Sequence, residues 1–103
     1  MSDIPVYMVV NIIIENKDEY RKYEKGFLNI LFKHNGTFIT MDDQAVNLEG
    51  SSPRSGRMVI FSFPSEDAAK NWYADPGYQE LSKHRRSATH LEFLTMVHGI
   101  SPQ

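Results

Sequence analysis

The stretch Arg57-Met58-Val59-Ile60-Phe61-Ser62-Phe63, followed by Pro64-Ser65-Glu66-Asp67 and then by Trp72-Tyr73-Ala74-Asp75-Pro76-Gly77-Tyr78, decides the fold. The first run is β-branched and aromatic and apolar on most of both faces, which reads as a buried strand. Ser65 is placed as a helix N-cap, with Glu66 and Asp67 in the first turn, where negative charge meets the positive end of a helix. Ala68, Ala69, Trp72 and Tyr73 make an inward stripe. Pro76 forces a break, because the residue before a proline resists helical geometry. A second helical piece is expected from Gly77 to about Arg86, with Tyr78 and Leu81 inward.

Upstream, Ile4 to Ile14 reads as a strand rich in Val and Ile, apolar at Val6, Met8, Val10, Ile12 and Ile14 on one face and nearly so at Tyr7, Val9, Asn11 and Ile13 on the other. Such a strand is covered on both faces. Asn16 caps the helix that follows, with Asp18 and Glu19 near its positive end. Tyr20, Tyr23, Phe27, Ile30, Leu31 and His34 recur with helical spacing. Gly36 is placed as the C-terminal stop, and Gly26 inside the helix suggests close packing on the sheet. Thr37 to Met41 reads as a second strand, Asp42-Asp43 as a turn, and Ala45 to Glu49 as a short strand or an offset continuation. Gly50-Ser51-Ser52-Pro53-Arg54-Ser55-Gly56 is a loop by composition. Thr89 to His98 is the last strand, and Pro102 falls in a short polar tail.

Strand, helix, strand, strand, helix, strand, joined by right-handed crossovers, is the split β-α-β plan of ferredoxin-like domains. The expected class is α+β: a βαββαβ chain with a four-stranded antiparallel sheet and helices on one face. The first and third strands are then central, in keeping with their apolar faces. Two helices cover one face of such a sheet. The other face stays largely apolar, so a second copy packed sheet to sheet by two-fold symmetry is expected, a homodimer.

The 103 residues suit one domain. A net charge of -2 argues against nucleic acid or an anionic membrane as the main partner. The glycine of the third strand is followed by Arg57, Met58 and Val59, where an RNA-binding sheet of this plan needs stacking aromatics. With no cysteine, disulfides, thiolate nucleophiles and cysteine metal sites are excluded. The apolar run Pro5 to Ile14 is shorter than the roughly 20 residues of a membrane span, and no signal peptide is legible. The expectation is a soluble, intracellular protein, placed in the cytoplasm, without membrane contact.

Phe63-Pro64-Ser65, Ala69, Trp72-Tyr73, Pro76, Tyr78-Gln79 and Arg85-Arg86 resemble the DUF1330 family, as do Leu48-Glu49-Gly50 and the opening Tyr7, Asp18-Glu19-Tyr20 and Tyr23. The resemblance spans about Tyr7 to Gly99. One departure is Asn16-Lys17-Asp18, where that family often starts its first helix with Asp-Pro. The resemblance implies a dimeric α/β-barrel domain of ferredoxin-like plan. Relatives of that barrel include monooxygenases, isomerases and dehalogenase-like proteins that act on small, often aromatic or acidic, compounds.

Six residues are candidates for contact with a ligand. Arg57, Arg85 and Arg86 each carry a fork able to hold a carboxylate or phosphate in bidentate fashion. Arg85 and Arg86 also suit a helix C-terminus as mere cations, and Arg57 suits an ion pair with Glu49. Glu49 is a proton acceptor only in a dry pocket that raises its pKa. Tyr78 follows the proline break and is the aromatic best placed to turn its hydroxyl into a cavity, although aromatics at helical spacing are usually core. Asn11 is polar inside an apolar strand, either a structural hydrogen bond or a ligand contact. No catalytic residue is assigned. His90 and Glu92 share a strand face without a third ligand, and the other histidines, His34, His84 and His98, lack zinc-type spacing, so neither a metal nor another cofactor is expected. Walker, dinucleotide and nucleophile-elbow patterns are missing. Two functions stay open: a cofactor-independent enzyme in which Arg57 or Arg85 anchors an anion, Tyr78 or Glu49 moves a proton and the Asp42–Gly56 connection closes as a lid, or a non-catalytic sensor of a small anionic metabolite using the same pocket.

Overall fold

In the computed structural model, which describes residues 4–52 and 54–101, β1 (Val6–Ile14) leads into α1 (Lys17–Lys33), β2 (Thr37–Asp42), β3 (Arg57–Phe63), α2 (Glu66–Ala74), α3 (Pro76–Ala88) and β4 (Thr89–His98). Pro53 and the Pro102 tail lie outside the described residues. The sheet order is β2-β3-β1-β4, with every neighbouring pair antiparallel. The first and third strands are central and the chain is α+β on the ferredoxin-like plan. All three helices lie on one face, in a body only 16 Å through its thinnest direction.

Each helix begins where the side chains dictate. The Asn16 side chain accepts a hydrogen bond from Glu19 N at 3.1 Å, and the Ser65 side chain accepts one from Ala68 N at 3.1 Å. Pro76 does more than break a helix. It is the first residue of α3, where its missing N–H costs nothing and its fixed φ suits the turn. Asp75, held at ψ 123° by the proline that follows, caps α3 by accepting from Gly77 N at 2.8 Å.

Three local readings are corrected. The described residues between Asp42 and Arg57 form an irregular connection, so Ala45–Glu49 is not a strand: its side chains, Val46 and Leu48 included, are exposed and it pairs with no strand. The left-handed residue that ends α1 is Asn35 (φ 63°), not Gly36. Gly36 is needed for another reason: Gly36 N donates to the Leu31 carbonyl, and any Cβ there would collide with the Leu31 and Phe63 side chains. Gly26 packs against Leu81 of α3 rather than against the sheet.

The even residues of β1 (Val6, Met8, Val10, Ile12) and the odd residues of β3 (Val59, Phe61, Phe63) are buried beneath the helices. With Tyr20, Tyr23, Phe27 and Leu31 of α1, Ala69 and Trp72 of α2, and Tyr78 and Ala88 of α3 they make the core. Trp72 stacks 4.1 Å from Tyr78, centroid to centroid, and sits edge-on to Phe61 at 5.2 Å. The opposite sheet face carries Tyr7, Val9, Ile13, Met58, Ile60 and Phe93, all half-buried, with Val97 exposed. No helix among the described residues is long and apolar enough to cross a membrane.

Candidate functional site

A hollow of about 170 Å³ lies between α1, α3 and the helix-facing side of the sheet. Its sheet wall is Val10, Ile12, Val59 and Phe61, and its rim is Phe38 and Met41 of β2 with Leu28 of α1. Three hydroxyls and two charges interrupt this apolar lining: Tyr20, Tyr23, Tyr78, Glu24 and Arg85.

The sequence puts them there by periodicity. On α1 the buried stripe is Tyr20, Tyr23, Phe27 and Leu31, spaced three, four and four. On α3 it is Tyr78, Ser82, Arg85 and Ala88. That helix is fixed at both ends. Asp75 and Pro76 set its start, while the Ala88 carbonyl accepts from Glu15 N at 2.7 Å and Asn16 N at 3.1 Å. The Thr89 hydroxyl donates to the Arg85 carbonyl at 2.7 Å. Arg85 therefore enters the core from a backbone that has little freedom to move.

Tyr23 and Tyr78 meet hydroxyl to hydroxyl at 3.0 Å in a buried contact. The Arg85 guanidinium carbon lies 5.9 Å from the Tyr23 ring centroid. Arg85 is 4% exposed, and no carboxylate of the described residues lies within ion-pair distance of it. Burial opposes its charge, but Tyr78 and Tyr23 beside it hold its pKa above the ordinary arginine value. Burial pushes the Tyr23 phenol well above the usual tyrosine range, reinforced by Tyr78, and raises the Tyr20 phenol to about 12. At neutral pH the Tyr20 and Tyr23 phenols keep their protons and Arg85 is a cation; one hydroxyl of the Tyr23–Tyr78 pair donates to the other, which leaves one proton of the pair for a ligand. The arrangement offers hydrogen bonds and positive charge to an oxyanion, within a largely apolar lining.

Tyr78 and Arg85 are brought together in this hollow, and the other four sequence candidates lie elsewhere. Arg57 stands beside the mouth, with its guanidinium carbon 5.7 Å from the Tyr20 ring centroid. Its partner is not Glu49. Arg57 Nε and Nη2 grip the two Asp43 carboxylate oxygens at 2.7 and 3.1 Å, and Nη1 reaches Glu24 at 3.1 Å. Glu49 is exposed on the 43–56 connection, away from the hollow. Asn11 is buried on the opposite sheet face, where its Nδ2 donates to the Ser55 and Arg57 carbonyls at 2.8 and 3.2 Å, tying the end of that connection to β1. Arg86 is exposed and donates to the Gln79 side chain at 3.1 Å.

Tyr20, Tyr23 and Glu24 are the polar residues of the hollow that sequence reading missed. The signal was present: three buried-stripe positions near the start of α1 hold tyrosine or phenylalanine, and a buried phenol demands a partner that a phenylalanine does not. His90 Nε2 lies 3.2 Å from Glu92, and no group of three metal-ligating side chains occurs among the described residues.

Solved structures with the same fold include a protein of unknown function from Rhodopseudomonas palustris, RPA0582, 19% identical with a TM-score of 0.77 over 97% of this chain and 85% of that one. SnoaB, a cofactor-independent oxygenase from Streptomyces nogalater, is 14% identical with a TM-score of 0.63 over 97% of this chain and 95% of its own. A dimeric ferredoxin-like protein of unknown function from Thermobifida fusca is 11% identical with a TM-score of 0.52 over 93% and 90% of the two chains. At these identities the likeness is one of fold. No curated protein shows significant similarity to the chain. The sequence profile described as "Domain of unknown function (DUF1330)" matches residues 5–100, and the chain belongs to that family.

Proposed function

We propose that this chain is a single domain that pairs as a homodimer through the open sheet face and holds a small apolar organic anion in the hollow between sheet and helices. The observation that carries the ligand assignment is Arg85: a buried guanidinium flanked by phenols, without a carboxylate partner among the described residues. A charge taken out of water without a counterion is costly, and an incoming carboxylate supplies the missing one. The apolar walls set the rest of the ligand, since a cavity of about 150 Å³ takes a body the size of benzene. Six half-buried apolar or aromatic residues on the uncovered sheet face support the dimer, as does the dimeric relative from Thermobifida fusca. The cysteine-free sequence is the support for placing this dimer in the cytoplasm.

The hollow is rich in donors and poor in bases, because Glu24 is the one carboxylate in its lining. That favours binding without turnover, a sensor or carrier of the anion. The fold shared with the oxygenase SnoaB supports the alternative, in which Arg85 and the phenols stabilise an enolate or peroxide anion of a bound substrate. Oxygen consumption on adding a bound, easily oxidised phenolic acid separates the two.

The test is calorimetric titration with 3-phenylpropanoate and related aryl and alkyl carboxylates. Binding is expected in the wild-type protein and at least about tenfold weaker in Arg85→Gln, the loss of one charged hydrogen bond. Equal affinity in the two proteins, or no binding by any apolar carboxylate, overturns the assignment.

A further inference from the structure

A second and wider hollow, of about 660 Å³, opens on the other side of Arg85, between β4 and the helices α2 and α3. Arg85 and Leu94 line both spaces, so one guanidinium and one leucine stand where the two adjoin. The floor of the second is apolar, with Met8, Leu91 and Met96. Its lysine and arginine lining is Lys70, Arg85 and Arg86, with Tyr73, Thr89 and His90 beside them and no aspartate or glutamate among the described residues.

These cations are not equally available. Lys70 is matched by Glu66 at 2.6 Å, a carboxylate outside the cleft lining, and the His90 ring lies 3.2 Å from Glu92. Among the described residues, Arg86 donates to the neutral side-chain oxygen of Gln79 at 3.1 Å, and neither Arg86 nor Arg85 meets a carboxylate. Two consecutive arginines therefore bring two uncompensated positive charges to one cleft. Consecutive helix positions point about 100° apart, which sends Arg85 toward the first hollow and leaves Arg86 at the solvent side of the second. A cleft bearing cations of one sign over apolar walls concentrates anions.

We propose that this cleft is a second anion subsite, so that the ligand carries two acidic groups on one apolar body. The proposal rests on the reading of the first hollow as an anion site. The apolar body enters the 170 Å³ hollow, one acidic group meets Arg85 and the two phenols, and the other lies beyond Arg85 against Arg86. The second group is a carboxylate or a phosphate, because a fork of guanidinium donors accepts either.

The test uses two acids that differ by one carboxymethyl group, 3-phenylpropanoate and benzylsuccinate, titrated by calorimetry at low salt into wild-type protein and into Arg86→Ala, with Arg86→Gln as a second variant. Because Arg86 is exposed, both variants are expected to fold, which circular dichroism checks. The expected result is a diacid bound at least tenfold more tightly than the monoacid by the wild type, the ratio falling below threefold in both variants. A wild-type ratio near one, with the monoacid bound, overturns the second subsite alone and leaves the first. A ratio that survives loss of Arg86 also overturns the second subsite. If neither acid binds, the reading of the first hollow falls and this proposal falls with it.

Discussion

At the scale of single residues, Arg85 is the buried residue whose charge the fold does not explain. A buried charge with no countercharge contributes less than a hydrophobe of similar length would, and replacing such a group with a well-packed apolar side chain is often neutral or stabilising. Arg85→Met is therefore expected to leave the melting temperature unchanged or raised while carboxylate binding is lost. A destabilisation of more than about 2 kcal/mol in urea titration would instead give Arg85 a structural role. Two glycines make a contrasting pair. Gly36→Ala pushes a methyl group into Leu31 and Phe63, both fully buried, and is expected to cost about 1–3 kcal/mol. Gly26→Ala meets only the movable tip of Leu81, and the alanine gains about 1 kcal/mol of helix propensity, so it is expected to be close to neutral. Equal losses at the two sites by chemical denaturation would contradict this account of the packing.

At the scale of elements, histidine–carboxylate pairs tie helix to helix and, once, helix to sheet. His84 of α3 meets Glu19 of α1 at 2.5 Å, His34 at the end of α1 meets the α3 cap Asp75 at 2.7 Å, and His98 of β4 meets Glu66 of α2 at 2.6 Å. Each carboxylate has its pKa lowered: Glu19 by His84 and then Lys22, Asp75 by His34 and then Lys33, and Glu66 to about 2 by Lys70 and then His98. A depressed acid in the folded state contributes stability that is fully present above its unfolded pKa and is lost as pH falls through the folded value. For Glu66 that window runs from 4.5 down to about 2. Urea midpoints are therefore expected to hold between pH 7 and 5 and to fall below pH 4.5, with a shallower acid limb in Glu66→Gln. An unchanged acid limb in that variant would remove Glu66 from the explanation. The elements themselves were legible because their signals are local: Ser65 and Asn16 cap, Pro76 punctuates, and β3 is apolar on both faces. The site was less legible because its partners are distant in sequence. Glu49 is the nearer strand-end acid in the reading of Arg57, yet the fold brings Asp43 and Glu24 to it instead. Arg85 read equally well as a helix-terminal cation, although its place seven residues after Tyr78 on the same stripe marks it as inward. Asn11 reads as buried and polar from the sequence, and the carbonyls it satisfies, Ser55 at the loop end and Arg57 at the start of β3, come from 44 and 46 residues away.

At the scale of the whole molecule, the helices finish only one side of the sheet. Tyr7, Val9, Ile13, Met58, Ile60 and Phe93 are shielded by one another, by the end of the β2–β3 connection, where Arg54 lies over the Phe93 ring and Ser55 meets Asn11, and by no helix among the described residues. Burying several hundred Å² of such surface per copy at roughly 25 cal/mol per Å² supplies ample drive for pairing. Sedimentation velocity at low micromolar concentration is expected to give a dimer, and Ile60→Asp, in the middle of the central strand β3, a folded monomer. A wild-type monomer would contradict sheet-to-sheet pairing without touching the hollow, which lies on the other face of the sheet, against the chain's own helices. The measurement that reaches the hollow most directly is an NMR titration of the arginine side-chain Nε–Hε signals with 3-phenylpropanoate, the Arg85 peak being assigned by its loss in Arg85→Lys. The expected result is a saturable shift of the Arg85 signal, larger than that of Arg57, whose fork is already filled by Asp43. A titration that moves the signals of the exposed arginines and leaves Arg85 in place would contradict an anion site built on that residue.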